Sequence, residues 1–154
     1  MVKAKIGDEI VNIPLRLRVR FDYRGVSKPK GLFFGSKNID QVAEETRDHK
    51  AALLRNVPVQ GIQIEDIDTS SEVYTVFDEA LGAPVAYAPI QVTIQAEVIE
   101  DVVRFIMQEE FRKVELLEPD QVVLGKHDIE RLLFKMNEEL RAFQIALERR
   151  ANLR

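Results

Sequence analysis

The chain has 154 residues, a length typical of one domain, and it contains no cysteine. Disulfides, thiolate nucleophiles and cysteine-ligated zinc are therefore excluded, and the composition is compatible with a reducing cytoplasm. The first residues lack the apolar core of a secretory signal, and no apolar run approaches the ~18 residues that a membrane span requires. We therefore expect a cytoplasmic protein that does not enter a membrane.

The charge is distributed unevenly along the chain, although the net charge is only −4. Residues 1–38 carry nine basic and three acidic side chains, a net charge of +6, whereas the other 116 residues carry 13 basic and 23 acidic side chains, a net charge of −10. Such asymmetry is typical of an anion-binding region, or of two surfaces that attract each other within or between chains. The acidic balance disfavours broad nucleic-acid binding without excluding a local basic patch.

The segment PLRLRVRFDYRG, residues 14–25, alternates apolar and basic side chains, as a β-strand with two different faces does. The alternation predicts a strand over about 10–21, with Pro14 at an edge position or a bulge. Three interpretations of the basic face stay open: salt bridges and solvation, a protein interface, or a phosphate or nucleic-acid surface. The candidate anion- or partner-binding residues continue into the following loop and are Arg16, Arg18, Arg20, Arg24, Lys28, Lys30 and Lys37.

The middle of the chain alternates between strand and helix periodicity. A peripheral helix is predicted over 39–55, with Asn38 as its N-cap. Strands follow over 59–66, over 73–77 and up to residue 96, the last one interrupted by Pro89. The period then becomes helical over about 98–112 and returns to a short strand over 113–119. This strand-helix-strand order predicts a βαβ unit with parallel strands.

The last predicted helix covers about 127–151, with Gly125 as its cap, and is ~37 Å long. A compact domain of this size has a radius of gyration of only ~15 Å, so the far end of the helix should project beyond its own sheet. Its apolar residues recur at the heptad spacing of a helix that packs on another helix, and they are Ile129, Leu133, Met136, Leu140, Phe143 and Leu147. We expect the five residues from Leu133 to Leu147 to form a homo-oligomer interface.

No motif predicts catalysis. In GLFFGSKN, residues 31–38, three residues separate the glycines where a P-loop has four, and the lysine follows the serine. His49 follows Glu45 by four residues and His127 precedes Asp128, but neither pair has the further ligands of a metal site. The carboxylates are too numerous to single out a catalytic dyad, and no serine lies in a nucleophile motif. We therefore predict no catalytic residue, no metal and no cofactor.

Together these patterns predict an α+β fold in a single domain, 1–154. We expect a mixed, mostly antiparallel sheet of about five strands with a C-terminal βαβ unit, in a ferredoxin-like arrangement, and a long C-terminal helix. The parts are a basic strand and loop (1–38), a peripheral helix (39–55), the sheet (57–118) and the amphipathic helix (126–151).

Three hypotheses for function follow from these patterns. The first is a small non-enzymatic protein that acts as an oligomeric interaction or regulatory module. Its partner is a second copy of the same chain or a different protein. The second is a protein that binds nucleic acid or a phosphate ligand through residues 16–37. The third is an enzyme whose site forms between subunits.

Overall fold

A computed structural model describes residues 1–26 and 38–153 of the chain. Three of the predicted basic residues (Lys28, Lys30 and Lys37) and all of GLFFGSKN except Asn38 lie outside the described residues. The elements, in chain order, are β1 (Val2–Ile6), β2 (Glu9–Ile13), β3 (Leu15–Gly25), α1 (Ile39–Asn56), β4 (Ile62–Asp68), β5 (Tyr74–Asp78), β6 (Ala83–Ala96), α2 (Ile99–Ile106), β7 (Phe111–Glu118), β8 (Val122–Val123) and α3 (Lys126–Asn152).

The strands form two antiparallel sheets. In the five-stranded sheet β3 lies between β6 and β7, and β4 and β5 pair with successive parts of the other edge of β6. Because β6 and β7 both run antiparallel to β3, they are parallel to each other, and with α2 they form a split βαβ unit. The small sheet has the order β2-β1-β8.

The predicted fold class is confirmed: the protein is α+β, with antiparallel sheets and a long C-terminal helix. Without β5, the elements from β3 to β7 follow the β-α-β-β-α-β order of a ferredoxin-like arrangement. The strand order β4-β6-β3-β7 separates the two parallel strands by one antiparallel strand. The split βαβ unit therefore occupies the predicted part of the chain.

The core lies between the five-stranded sheet and its helices. Phe21 of β3 is fully buried and packs edge-on against Phe105 of α2 and Phe111 of β7. At the end of β3, a Cβ on Gly25 would lie 2.4 Å from the carbonyl oxygen of Ile39 and 2.5 Å from the amide nitrogen of Ala43. Only glycine therefore allows α1 to lie this close to the strand.

Several predicted boundaries were wrong. The strand expected over 10–21 is two strands in different sheets, separated at Pro14, which cannot donate to a ladder. The helix expected to reach residue 112 ends at Ile106, and β7 begins at Phe111. Pro89 does not interrupt β6, because it lies between the stretch that pairs with β5 and the stretch that pairs with β4. The missing N–H of this proline thus faces a gap between strands.

The long helix α3 packs mainly against α2. Gly125 is the N-cap of α3, as predicted, and its backbone N–H donates a hydrogen bond of 2.8 Å to the side chain of Asp128 in the first turn. None of the 27 residues of α3, all of them described, is fully buried. No helix in the described part of the chain is long and apolar enough to cross a membrane.

Candidate functional site

The predicted arginine face is the open face of the five-stranded sheet. The apolar side chains of β3 alternate with its arginines and are buried toward the helices, so the arginines lie on the side away from the core. On β6 the residues opposite Arg16, Arg18 and Arg20 are Gln95, Thr93 and Gln91, which are polar and uncharged. We call the column formed by Arg16, Arg18, Arg20, Asp22 and Arg24 the arginine stripe.

At the two ends of the stripe, each arginine pairs with one carboxylate of its own chain. Arg16 donates from Nε to Glu65 of β4 over 2.8 Å, and Arg24 donates from Nη2 to Asp78 of β5 over 3.1 Å. The hydrogen bond between Arg16 and Glu65 raises the pKa of the arginine and lowers the pKa of the carboxyl group. Gln95 donates a further hydrogen bond to Glu65 over 2.6 Å. The ends of the stripe are thus neutralised within the chain.

The centre of the stripe is a network around Asp22, which is only 2% exposed. Arg20 donates to both carboxylate oxygens, from Nε over 2.8 Å and from Nη2 over 3.0 Å, and the hydroxyl of Tyr74 donates over 2.5 Å. Arg112 brings a second guanidinium to 3.7 Å from the same carboxylate. The hydrogen bond to Asp22 raises the pKa of Arg20, and burial together with this carboxylate raises the pKa of Tyr74. The network joins β3, β5 and β7.

Two tyrosines flank this network. Tyr74 and Tyr87 stack across β5 and β6 with their ring centroids 5.4 Å apart and an interplanar angle of 24°. The guanidinium carbon of Arg112 lies 5.4 Å from the centroid of Tyr87, a cation–π contact. The open face therefore carries aromatic rings beside cations, and these rings are on β5 and β6.

A hollow of about 100 Å³ lies on the open face between β3 and β7, lined by Arg18, Arg20, Gln91, Lys113 and Glu115. Lys113 donates from Nζ to Glu115 over 3.2 Å, and Arg18 reaches the same carboxylate over 3.5 Å. Lys113 is directly opposite Arg20 in the strand register, so two like charges face each other. We call this place the β3–β7 hollow.

The predicted oligomer interface lies on α3. We call the six residues at heptad spacing, from Ile129 to Leu147, the α3 seam. Leu133 and Leu140 are 59% and 55% exposed, and Ile129 and Met136 are also exposed. Phe143 and Leu147 are half-buried, and together with residues 107–110 they line an open groove of about 260 Å³ at that end of the helix. The middle of α3 is therefore less covered than its far end, which reverses the expectation from helix length.

The contact between α2 and α3 includes a partly buried ion-pair cluster. Glu139 of α3 accepts hydrogen bonds from Lys135 and from Arg104 of α2, at 2.9 Å and 3.2 Å. Burial acts to raise the pKa of Glu139, but these two hydrogen bonds outweigh it and the pKa is lowered. The cluster lies on the side of α3 that faces α2.

The structure adds four residues that the sequence patterns did not single out: Asp22, Tyr74, Tyr87 and Arg112. Asp22 has a signal in the sequence, since it is an acidic residue at the arginine spacing, between Arg20 and Arg24. The other three come from different strands, and their proximity depends on the pairing register. Among the described residues, no group of three or more histidine, aspartate or glutamate side chains is placed to hold a metal ion.

No family model, no curated protein and no solved structure matches this chain.

Proposed function

We propose that this protein is a small, non-enzymatic interaction or regulatory module of the cytoplasm that self-associates through the α3 seam. The observation that carries the proposal is an apolar seam of heptad spacing, largely exposed, on a helix with no fully buried residue. Heptad spacing fits the side chains of a second helix, and a contiguous exposed apolar patch marks an interaction surface. Exposure of such a surface to water is unfavourable, whereas packing against a second helix removes its apolar side chains from water.

A second copy of α3 in antiparallel orientation complements the seam. In that orientation the six residues pair completely: Ile129 with Leu147, Leu133 with Phe143, and Met136 with Leu140 of the other copy. The last turn of α3 contains Arg149 and Arg150, and its first turn contains Asp128. Antiparallel pairing brings the opposite ends of the two helix dipoles together and keeps the terminal arginines of the two copies apart. Parallel pairing would instead place four arginines side by side.

The arginine stripe supports the interaction module over the nucleic-acid binder. Arg16 and Arg24, at the two ends of the stripe, each have a carboxylate of their own chain within 3.1 Å, so a polyanion that runs along the stripe would have to displace internal partners. Carboxylates of β4 and β5 also border the stripe and would repel a polyanion. On the part of the open face that the structure describes, the β3–β7 hollow is where cations outnumber carboxylates.

Light scattering after size-exclusion chromatography tests the proposal. We expect the wild type at micromolar concentration to have twice the mass of the 17.7 kDa chain, and the double variant Leu133→Gln/Leu140→Gln to have the mass of one chain. Ile145→Gln is the matched control, since Ile145 is 50% exposed on the same helix but outside the seam. It should remain dimeric.

A monomeric wild type would contradict the proposal. A control variant that dissociates like the double variant would also contradict it, because the loss would then follow from damage to α3 rather than from the seam. Circular dichroism of all three proteins establishes that α3 is still helical.

A further inference from the structure

The β3–β7 hollow is the part of the open face where cations outnumber carboxylates. Glu115 is shared by Arg18 and Lys113, and Asp22 is shared by Arg20 and Arg112. The lining of the hollow itself holds three cations, Arg18, Arg20 and Lys113, and one carboxylate, Glu115, so a charge of +2 remains. At the ends of the stripe, by contrast, each arginine has one carboxylate.

The register makes this excess costly for the free protein. Lys113 and Arg20 stand directly opposite each other, with Cβ atoms ~5 Å apart, and like charges in that position destabilise a sheet. Arg18 faces Glu115 in the same way, but its 3.5 Å contact is at the limit of a hydrogen bond. An anion between these three cations would relieve the repulsion and complete their hydrogen bonds.

We propose that the β3–β7 hollow binds a single phosphate group, supplied by inorganic phosphate or by a small phosphate monoester. A phosphate monoester carries a charge of about −1.5 to −2 at pH 7, which matches the local excess. The hollow of about 100 Å³ is on the scale of one such group rather than a chain of them. Arg18, Arg20 and Lys113 surround it, with the amide of Gln91 as an additional donor.

The size of the ligand follows from the surroundings of the hollow. Glu65 and Asp78 occupy the arginines at the two ends of the stripe, so a second phosphate in line would meet paired cations and carboxylates. A nucleic-acid strand needs a continuous series of such sites along its backbone. One phosphate is therefore the ligand that this charge distribution favours.

Nuclear magnetic resonance titration with inorganic phosphate, at ionic strength held constant with sodium chloride, tests the proposal. We expect saturable shifts of backbone amides in β3 and β7, and an affinity about fivefold lower in Arg18→Gln and in Lys113→Gln. Glu115→Gln should raise the affinity about fivefold, because it frees both cations for the ligand. A purely structural role of Glu115 would not produce a gain.

Matched controls come from the ends of the same stripe. Arg16→Gln and Arg24→Gln remove one positive charge each from the same face but outside the hollow, and their affinity should remain within about twofold of the wild type. Equal losses in Arg16→Gln and Arg18→Gln, or no gain in Glu115→Gln, would overturn the proposal. Thermal unfolding of each variant shows that the sheet is intact.

A single-stranded oligonucleotide at the same salt concentration is the second probe. If it binds more tightly than inorganic phosphate and this binding is lost in Arg16→Gln and Arg24→Gln, the whole stripe is a nucleic-acid surface and the single-phosphate proposal is wrong. Glycerol phosphate as a third probe distinguishes the two sources of the phosphate group. Tighter binding than that of inorganic phosphate would identify a monoester as the ligand.

Discussion

The arginine stripe and the α3 seam are both regular patterns in the sequence, but they differ in how far the rest of the chain covers them. The stripe is covered by the chain itself: Glu65, Asp78 and Glu115, from three other strands, each reach one of its arginines. The seam is covered only at its far end, where Phe143 and Leu147 are half-buried, and its other four residues are exposed in the described structure. The ends of the charge pattern are paired within the chain, whereas most of the apolar pattern is left exposed.

The difference has a physical origin. An exposed arginine is well solvated, so a carboxylate beside it adds little free energy and can come from any strand in register. An exposed leucine gains nothing from water and is stabilised only by other apolar surface. An uncovered apolar seam is therefore a stronger indication of a partner than a basic stripe is. The following predictions test that contrast.

The largest expected effect concerns the orientation of the seam. The chain has no cysteine, so any thiol is an introduced one. A disulfide requires Cα atoms within ~7 Å, whereas positions 129 and 147 on one helix are ~27 Å apart. Ile129→Cys co-expressed with Leu147→Cys should therefore form cross-linked dimers on mild oxidation, at least about tenfold more than either variant alone.

The result is read from the mass on a non-reducing gel. Efficient cross-linking of each variant with itself, and not of the mixture, would mean parallel helices. If neither the mixture nor the single variants cross-link, although the protein is dimeric by light scattering, the interface lies elsewhere.

The next largest effect concerns the centre of the stripe. Asp22→Ala should lower the free energy of unfolding by about 3 kcal/mol, because two guanidinium groups and the hydroxyl of Tyr74 lose a buried acceptor. Urea denaturation measures the change. Glu115→Ala, whose pairs are exposed, should cost less than about 1 kcal/mol. Similar losses in the two variants would show that the stripe has no stabilising centre.

A third effect is the dependence of stability on protein concentration. If only folded chains associate through the seam, the wild-type melting temperature rises with concentration, by the equivalent of about 1.4 kcal/mol of dimer for each tenfold increase. Leu133→Gln/Leu140→Gln should melt at the same temperature over that range, measured by calorimetry. A concentration-independent wild type would count against the seam as an interface.

The local pattern of the chain was predictable where it depends on neighbouring residues. Asn38 caps α1 as expected, with its side chain accepting a hydrogen bond from the N–H of Asp40 over 3.1 Å. The alternation of β3 correctly separated its buried face from its open face. The end of α2 was not predictable, because Phe111 and the residues before it also fit a helical period although they form a turn and a strand.

The partners of each surface required information that one stretch of sequence does not contain. Tyr74 and Arg112 meet Asp22 only because β5 pairs with β6 and β7 pairs with β3 in a particular register. β8 is only two residues long, too short for an alternation, and it is held by its pairing with β1. β1 alternates over five residues but was not predicted, because its partners come from two other parts of the chain. The heptad spacing identified the seam, but its exposure depends on how α3 packs on α2.

The smallest expected effect concerns that packing and its dependence on pH. In the folded protein, the hydrogen bonds from Lys135 and Arg104 hold the pKa of Glu139 below its ordinary value, although burial acts to raise it. A carboxyl group with a lowered folded-state pKa stabilises the protein above its unfolded pKa of ~4.3, and this contribution is lost as the pH falls through the folded value. The wild type should therefore lose stability steadily below about pH 5.

In Glu139→Gln the free energy of unfolding should fall less steeply as the pH is lowered, because the amide does not titrate. Urea denaturation at a series of pH values between about 3 and 6 measures the two slopes. Equal slopes would mean that apolar contacts alone hold α3 on α2. A shallower slope in the variant would show that the ionic contact of Glu139 helps to hold α3 on its own chain. An unchanged mass by light scattering would show that this contact is not needed for binding the second copy, which the apolar seam provides.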